Sequence, residues 1–221
     1  TTRLVGSEMC IRDRFQGAGV ISHDLEHTFY GRIGLFRNQP GDMLLKRSDL
    51  VIAVGYDPIE YEARNWNAEI DSRIIVIDNA IAEIDTYYQP ERELIGDIAA
   101  TLDNLLPAVR GYKIPKGTKE YLDGLHEVAE QHEFDTENTE EGRMHPLDLV
   151  STFQEIVKDD ETVTVDVGSL YIWMARHFKS YEPRHLLFSN GMQTLGVALP
   201  WAITAALLRP GKKVYSHSGC L

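Results

Sequence analysis

Three groups of small and polar residues each follow a short apolar run that is typical of a β-strand. The groups lie at residues 166–169, 189–196 and 216–219. Because ligands of open α/β sheets bind beyond the carboxyl ends of the strands, these groups are candidates for a single binding edge. Gly168 and Ser169 open a predicted helix, and backbone N–H groups there could hold a diphosphate. Glycines after strands also serve tight turns alone, so this pattern by itself is a weak indication of function.

The elements that must position these groups predict an α/β fold with two doubly wound parallel-sheet domains. In a central domain, residues 15–110, apolar runs at 50–55 and 74–78 predict strands covered on both faces. A helix is predicted over 98–109 from its apolar spacing.

A second domain over residues 146–219 contains the three groups. Its pattern predicts helices at 147–157, 169–178 and 194–208, and strands at 162–167, 185–189 and 213–218. Pro200 is expected to kink the last helix or to lie at a local irregularity. Residues 111–145 are predicted to be a linker with one helix. Its acidic stretch, 133–141, is interpreted as a solvated connection rather than an interaction tail.

Composition restricts the classes of function. The chain of 221 residues is 43% hydrophobic and carries a net charge of -12, which disfavours binding to nucleic acid or to an anionic membrane. It has no apolar run of about 18 residues and no signal-peptide pattern, so a cytoplasmic protein without a membrane partner is expected.

The two ends of the sequence look foreign to the rest. Residues 1–14 show no helical or strand periodicity, and residues 8–13 resemble the translation of a transposon end used in preparing sequencing libraries. The last two residues, Cys220 and Leu221, fit the reverse complement of the same element. Residues 1–14 and 220–221 are therefore interpreted as artefacts, with a natural terminal tail as the alternative.

The combination of motifs is more specific than its parts. Asp166, Val167 and Gly168 are followed by Trp173, by the run from Ser189 to Pro200, and by residues 210–214. This arrangement resembles the cofactor-binding domain of thiamine-diphosphate enzymes, and it is most similar to the catabolic acetolactate synthases. Residues 15–109 resemble the central domain of that family.

The resemblance implies an enzyme that condenses two pyruvate molecules into 2-acetolactate with loss of carbon dioxide, using thiamine diphosphate and Mg²⁺. It implies a homo-oligomer, a dimer or a tetramer, for the full-length protein. Leu195 matches the apolar residue beneath the bent cofactor, although a core leucine is the simpler alternative. The other positions that match the cofactor site are Gly168, Ser169, Leu170, Tyr171, Gly191, Met192, Gln193 and Gly219.

Two departures from the family pattern matter. The family has an Asp that ligates Mg²⁺ where this sequence has Cys220. The pyrimidine domain with the activating Glu has no counterpart in these residues. No catalytic residue and no metal ligand is therefore assigned, and the 221-residue chain is expected to be inactive.

Other interpretations remain open at this stage. A pyruvate oxidase or a 2-oxo acid decarboxylase would share the same cofactor site. A nucleotide-binding module would require a glycine-rich turn after a strand, to which Gly17 and Gly19 are the nearest approach. FAD is not expected, because residues 56–60 offer no cationic side chain. His23 and His27 are interpreted as solvated or hydrogen-bonded rather than as metal ligands, and His217 as a candidate neighbour of the cofactor.

Overall fold

A computed structural model describes residues 11–14, 17–34, 39–58, 61–132, 144–189 and 193–218. Within these ranges the strands are β1 (Ile11–Arg14), β2 (Phe29–Ile33), β3 (Leu50–Val54), β4 (Arg73–Asp78), β5 (Arg92–Ile95), β6 (Thr162–Val165), β7 (Leu186–Phe188) and β8 (Val214–His217). The α-helices are α1 (Pro40–Lys46), α2 (Ile98–Val109), α3 (Lys116–His132), α4 (Pro146–Ile156), α5 (Ser169–His177) and α6 (Ala198–Leu208). All five strand pairings among them are parallel, which confirms the predicted α/β class.

The first domain has a sheet of order β3-β4-β5, with an additional pair formed by β1 and β2. Strand β1 was not predicted, because a segment of four residues is too short to show a periodic pattern. Its register with β2 shifts between Ile11 and Asp13. A strand conformation does not show whether these residues belong to the natural protein, so the artefact interpretation of residues 1–14 stays a prediction.

Strand β3 is covered on one face only, contrary to the expectation from its apolar sequence. Ala53 is buried, whereas Leu50, Ile52 and Val54 are 40%, 39% and 42% exposed. Successive residues of a strand point to opposite faces, so one face packs into the core and the other remains accessible. The covered side joins a core of buried aromatic and aliphatic residues that includes Tyr61, Trp66, Ile74, Val76 and Tyr88.

The helix predicted within residues 111–145 is α3, and it packs against the first domain. Leu122 and Leu125 are buried together with Tyr30 and Leu44 of the first domain. The apolar face indicated by the sequence of this helix therefore has a partner surface in the first domain. The acidic stretch at 133–141 lies outside the described residues.

The second domain has strand order β7-β6-β8, with the central strand β6 buried at every position. Helices α4 and α5 contribute to its core with Val150, Leu170 and Met174. Helix α6 begins at Ala198, later than predicted, so Pro200 falls in its first turn. The expected kink is therefore wrong, since first-turn N–H groups have no partner within the helix and proline is tolerated there.

Close backbone packing joins the two domains near Gly19. Gly19 has φ +92°, and a Cβ at this position would overlap the carbonyl oxygen of Glu182. The preceding residue, Ala18, is buried in the core of the second domain. The glycine therefore serves interdomain packing, which removes the main support for a nucleotide-binding turn at Gly17 and Gly19.

A buried arginine strengthens the same interface. Arg32 of β2 donates from Nη1 to the carbonyl oxygens of Ala175 (2.9 Å) and Phe178 (2.7 Å). These carbonyls lie at the end of α5, where the last helical C=O groups lack intrahelical partners. Arg32 therefore caps α5 from the other domain with charge-assisted hydrogen bonds.

A second interdomain contact is expected to make stability depend on pH. Glu26 accepts hydrogen bonds from Lys179 Nζ and from the Tyr181 hydroxyl, both at 3.0 Å. Although burial acts to raise it, the pKa of Glu26 is lowered by Lys179 and Tyr181. Because the pKa of Glu26 is lower in the folded chain, this carboxylate stabilises the fold. The stabilisation is fully present above the pKa of 4.5 in the unfolded chain, and it is lost as the pH falls through the lower pKa in the folded chain.

Glu26→Gln should therefore be less stable than the wild type at pH 7, and the two curves should converge below about pH 4.5. Urea unfolding between pH 7 and pH 3 measures this difference. Glu120→Gln, an exposed change on α3, is the control and should track the wild type throughout. A stability difference for Glu26→Gln that is constant across the range would contradict the prediction.

Candidate functional site

The three predicted groups do meet at one edge of the second sheet. Val165 at the end of β6 pairs with Phe188 of β7 and with His217 of β8. The residues that follow these strands therefore leave the sheet side by side. This confirms the expectation that the three strand ends share an edge. Gly191, Met192, Gly219 and Cys220 lie outside the described residues.

A buried carboxylate organises this edge. Asp166 is 4% exposed and directly follows β6. Gly196 N donates to both of its oxygens, at 2.8 Å to Oδ1 and 2.9 Å to Oδ2. Val167 N also donates to Oδ1 at 2.9 Å, and the backbone N–H of Asp166 donates to the carbonyl of His217. One side chain thus fixes the segment before α6 to the central strand.

Asp166 belongs to the motif that follows β6, but the sequence alone indicated no role for it. The available signal was an acidic residue directly after an apolar strand, where an unpaired charge would be costly to bury. Its partner, Gly196, lies 30 residues further along the chain. That separation explains why spacing could not show the contact. Asp166 is a positioning residue.

The segment before α6 presents its side chains outward. Gln193 and Gly196 adopt positive φ values of 46° and 81°, and Thr194 N donates to Ser189 Oγ at 3.3 Å. Leu195 is 68% exposed. The alternative of an ordinary core leucine is therefore wrong. An apolar side chain held on a fixed turn is available to contact a ligand at this edge.

The first turn of α5 presents backbone N–H groups to the edge, because the side chains of Leu170 and Tyr171 are buried. Gly168 precedes it without a side-chain cap, and Ser169 at its first position is exposed. Leu170 and Tyr171 are 1% and 6% exposed and lie in the core. Burial raises the pKa of Tyr171 to about 12, so this phenol stays protonated. Any contact these two residues make with an anion would use their N–H groups.

His217 lies at the same edge as a neutral imidazole. Burial lowers its pKa, with a smaller opposing effect of Asp166. Its Nε2 is buried and has no hydrogen-bond partner among the described residues. A neutral ring with an unused nitrogen could donate to or accept from a bound group.

Metal-ligand clusters are absent from the described part of the chain, where no three His, Cys, Asp or Glu side chains converge. His23 Nε2 lies 2.9 Å from Asp159 Oδ2, and its ring stacks on Tyr181. The carbonyl of His27 lies 3.3 Å from His126 Nε2. The ring contacts of His23 agree with the hydrogen-bonded interpretation of that residue, and the exposure of His27 agrees with the solvated one. The described helices also include none that is long and apolar enough to cross a membrane.

Comparison with known proteins assigns both halves of the chain to one enzyme family. Residues 8–105 match the thiamine pyrophosphate enzyme central domain, and residues 166–219 match the C-terminal TPP binding domain of these enzymes. Thiamine pyrophosphate is another name for thiamine diphosphate. The second match begins at Asp166, so the whole described edge lies within it.

Several acetolactate synthases are similar to the chain. The acetolactate synthase of Bacillus subtilis (strain 168) is 48% identical over 207 residues, which are 94% of this chain and 36% of that protein. The catabolic acetolactate synthase of Raoultella terrigena is 43% identical over 206 residues, 92% of this chain and 36% of that protein. The acetolactate synthase of Mycobacterium leprae is 27% identical over 204 residues, 89% and 32% of the two chains.

The chain thus spans about a third of the length of these relatives. Both of its α/β units match domains of the same enzymes, in the same order along the chain. The sheet edge around Asp166 lies in the part that matches the TPP binding domain of those enzymes. The chain therefore belongs to the thiamine pyrophosphate enzyme family and contains parts of its central and C-terminal cofactor-binding domains.

Proposed function

We propose that this chain is part of an acetolactate synthase that condenses two pyruvate molecules into 2-acetolactate with release of carbon dioxide. The observation that carries the proposal is identity of 48% and 43% to two such enzymes over almost the whole chain. The activity is that of a whole protein, of which these residues correspond to about 36%.

The described edge fits the proposed cofactor, thiamine diphosphate. When bound, that cofactor supplies a carbanion equivalent and stores the electrons released by decarboxylation. Leu195 would give an apolar support to its bent form, and Asp166 would hold the turn that carries Leu195 and Gln193. The first N–H groups of α5, from Ser169 onward, would face its diphosphate. Gly191, Met192 and Gly219 are proposed to complete this set.

We also propose that Mg²⁺ balances the diphosphate charge in the complete enzyme. The need is electrostatic, because the chain carries a net charge of -12 and its cofactor adds further negative charge. Oxygen ligands suit this ion, and Cys220 would not provide one. No metal ligand is therefore assigned to these residues.

FAD is not proposed as a cofactor. The turn after β3 contains Tyr56, whose hydroxyl donates to the carbonyl of Tyr61. Tyr56 Oη also accepts from Trp66 Nε1 at 3.3 Å, and its ring packs against Tyr88. The Tyr56 side chain is thus committed to the core of the first domain, and the proposal rests on the sequence of residues 56–60, which offers no cationic side chain for the phosphates of FAD.

We propose a homo-oligomer, a dimer or a tetramer, in the cytoplasm. Helix α6 supports an additional contact surface, because it is apolar on all sides. One side packs on the sheet, while Leu199, Ile203 and Leu207 are 55%, 54% and 78% exposed. A stripe of this kind is expected to be covered in the whole protein.

The proposal is tested with the protein that the complete gene encodes. Purified enzyme supplied with pyruvate, thiamine diphosphate and Mg²⁺ should form acetolactate, and omission of either cofactor should abolish the reaction. Exclusive formation of acetaldehyde or acetyl phosphate would show a different enzyme of the same family. Stoichiometric flavin in the purified protein would contradict the proposal about FAD.

Leu195→Ala should weaken cofactor binding without affecting folding. Loss of its apolar contact is expected to raise the Kd for thiamine diphosphate of the complete enzyme by about tenfold, the effect of exposing a few methylene groups. The unfolding free energy of the 221-residue chain should change by less than about 0.5 kcal/mol, since the side chain is 68% exposed.

Cofactor fluorescence quenching and urea unfolding measure the two quantities. Ile81→Ala is the matched control, because Ile81 is also exposed, at 77%, but lies in the first domain, beyond the end of β4. It should leave the Kd unchanged. Equal effects of the two substitutions on the Kd would contradict a specific contact by Leu195.

A further inference from the structure

Strand β6 and the residue that follows it carry three polar side chains on one face, although every position of the strand is buried. Thr162, Thr164 and Asp166 alternate with valines, and residues two apart in a strand point to the same face. Their exposed fractions are 0%, 0% and 4%. Val163 and Val165, on the other face, join the core formed with α4 and α5. Burying a polar group without a hydrogen-bond partner is costly, so each of the three side chains requires one.

The two threonines hold the two ends of α6. The Thr164 hydroxyl donates to the carbonyl oxygen of Ala198, the first residue of the helix, at 2.9 Å. At the other end, Thr162 Oγ1 accepts a hydrogen bond from Nη1 of Arg209, the residue that directly follows the helix. Arg209 also donates from Nη2 to the carbonyl of Arg184 at 2.9 Å. One face of β6 therefore contacts both ends of α6 through side-chain hydrogen bonds.

The Thr164 contact adjoins the turn that carries Leu195. Gly196, which directly follows Leu195, donates from its backbone N to the Asp166 carboxylate at 2.8 and 2.9 Å. Thr164 binds the carbonyl of Ala198 two residues further on. Two neighbouring side chains of one strand thus hold the backbone on the C-terminal side of Leu195. The Thr162 contact lies at the far end of the same helix.

Helix α6 depends on these contacts for its position along the sheet. It contains no charged residue, and Thr204, its only hydroxyl side chain, donates to the carbonyl of Pro200 within the helix at 2.9 Å. Val197, at the N-cap position, has an apolar side chain and cannot cap the helix. Apolar packing is non-directional, whereas a hydrogen bond requires a defined distance and angle. The polar face of β6 therefore supplies the directional contacts between the helix and the sheet.

We propose that Thr164 is a positioning residue for the thiamine diphosphate site. Its hydroxyl fixes the start of α6 on β6, and this contact holds the turn that carries Leu195 in the position that supports the cofactor. Thr164 acts through the backbone of Ala198 and does not itself touch the cofactor. A support that is already ordered binds a ligand more tightly than one that must be ordered on binding. The inference rests on the proposed binding of thiamine diphosphate at this edge.

The first test measures the Kd for thiamine diphosphate of the complete enzyme, with Mg²⁺ present, by fluorescence quenching. Thr164→Val replaces the hydroxyl by a methyl group and should raise the Kd about fivefold, the factor for loss of one net hydrogen bond. Thr162→Val is the matched control, because Thr162 lies on the same face of the same strand and is equally buried. It should leave the Kd unchanged. Equal increases for the two variants would indicate a general effect on packing and would overturn the proposal.

A second pair of variants separates the hydroxyl from the size of the side chain. Thr164→Ser and Thr164→Ala both lack the threonine methyl group, but only Thr164→Ser keeps the donor to the Ala198 carbonyl. Thr164→Ser should bind the cofactor as the wild type does, and Thr164→Ala should bind it as weakly as Thr164→Val. The pair also decides the question if Thr164→Val does not fold. Equal Kd values for Thr164→Ser and Thr164→Ala would show that the hydroxyl has no role in positioning.

Amide hydrogen exchange of the complete enzyme without cofactor gives a measurement that does not require thiamine diphosphate to bind. Thr164→Val should accelerate exchange in a peptide covering residues 193–199 by about fivefold, because the turn loses one of its attachments. Thr162→Val should leave exchange in that peptide unchanged. A wild-type enzyme that does not bind thiamine diphosphate would contradict the proposed function. Unchanged exchange in Thr164→Val would instead overturn the positioning role, whether or not the enzyme binds the cofactor.

Discussion

Replacing Asp166 by alanine is expected to lower the free energy of unfolding of the 221-residue chain by about 3 kcal/mol, the range for a buried charge-assisted network. The carboxylate accepts from Gly196 N and Val167 N, and it is 4% exposed. Without it, two backbone donors at the edge would be left without that acceptor. The turn that carries Leu195 would lose its attachment to β6. Urea unfolding followed by circular dichroism measures the effect.

Asp103→Ala provides the matched control, since Asp103 is an exposed residue of α2. It should change stability by less than about 0.5 kcal/mol. Asp166→Asn keeps one acceptor oxygen, so its loss of unfolding free energy should lie between those of Asp166→Ala and Asp103→Ala. If Asp166→Ala were no more destabilising than Asp103→Ala, the hydrogen bonds to the Asp166 carboxylate would not contribute to stability.

A polypeptide of these 221 residues alone is expected to form no acetolactate from pyruvate, a loss of at least about a thousandfold relative to the complete enzyme. Asp166 is the carboxylate that the structure describes at the edge, and its oxygens are engaged by backbone N–H groups. His217 is held neutral by burial. The residues described there are proposed to bind and orient a cofactor, but they do not supply the activating acid that the family resemblance implies.

The measurement compares this polypeptide with the protein of the complete gene in the same pyruvate assay. Cys220→Asp should not produce turnover in the 221-residue chain. One carboxylate does not complete the metal site, and it does not replace the activating Glu that the family resemblance implies. Detectable acetolactate from the unmodified 221-residue polypeptide would contradict the prediction. The complete enzyme carrying Asp103→Ala is the control for incidental effects of substitution.

The sequence by itself determined the class of fold and which strand ends share an edge. Apolar runs followed by small polar residues predicted parallel strands, because a strand covered by helices needs apolar side chains and a tight exit. The strands at Leu50–Val54 and Arg73–Asp78 and the helix at Ile98–Val109 follow those patterns. The motif after β6 also led, through the family resemblance, to the edge at which a cofactor site is proposed, because backbone groups that can hold a diphosphate are local in sequence.

Only the tertiary structure decided which residues meet across long separations. The bond from Gly196 to Asp166 spans 30 residues, and the bonds from Arg32 to the end of α5 span 143 and 146. Periodicity cannot encode such pairs, because it reports which face of an element is apolar and not which surface covers that face. The same reason explains the burial of Leu122 and the exposure of Leu195.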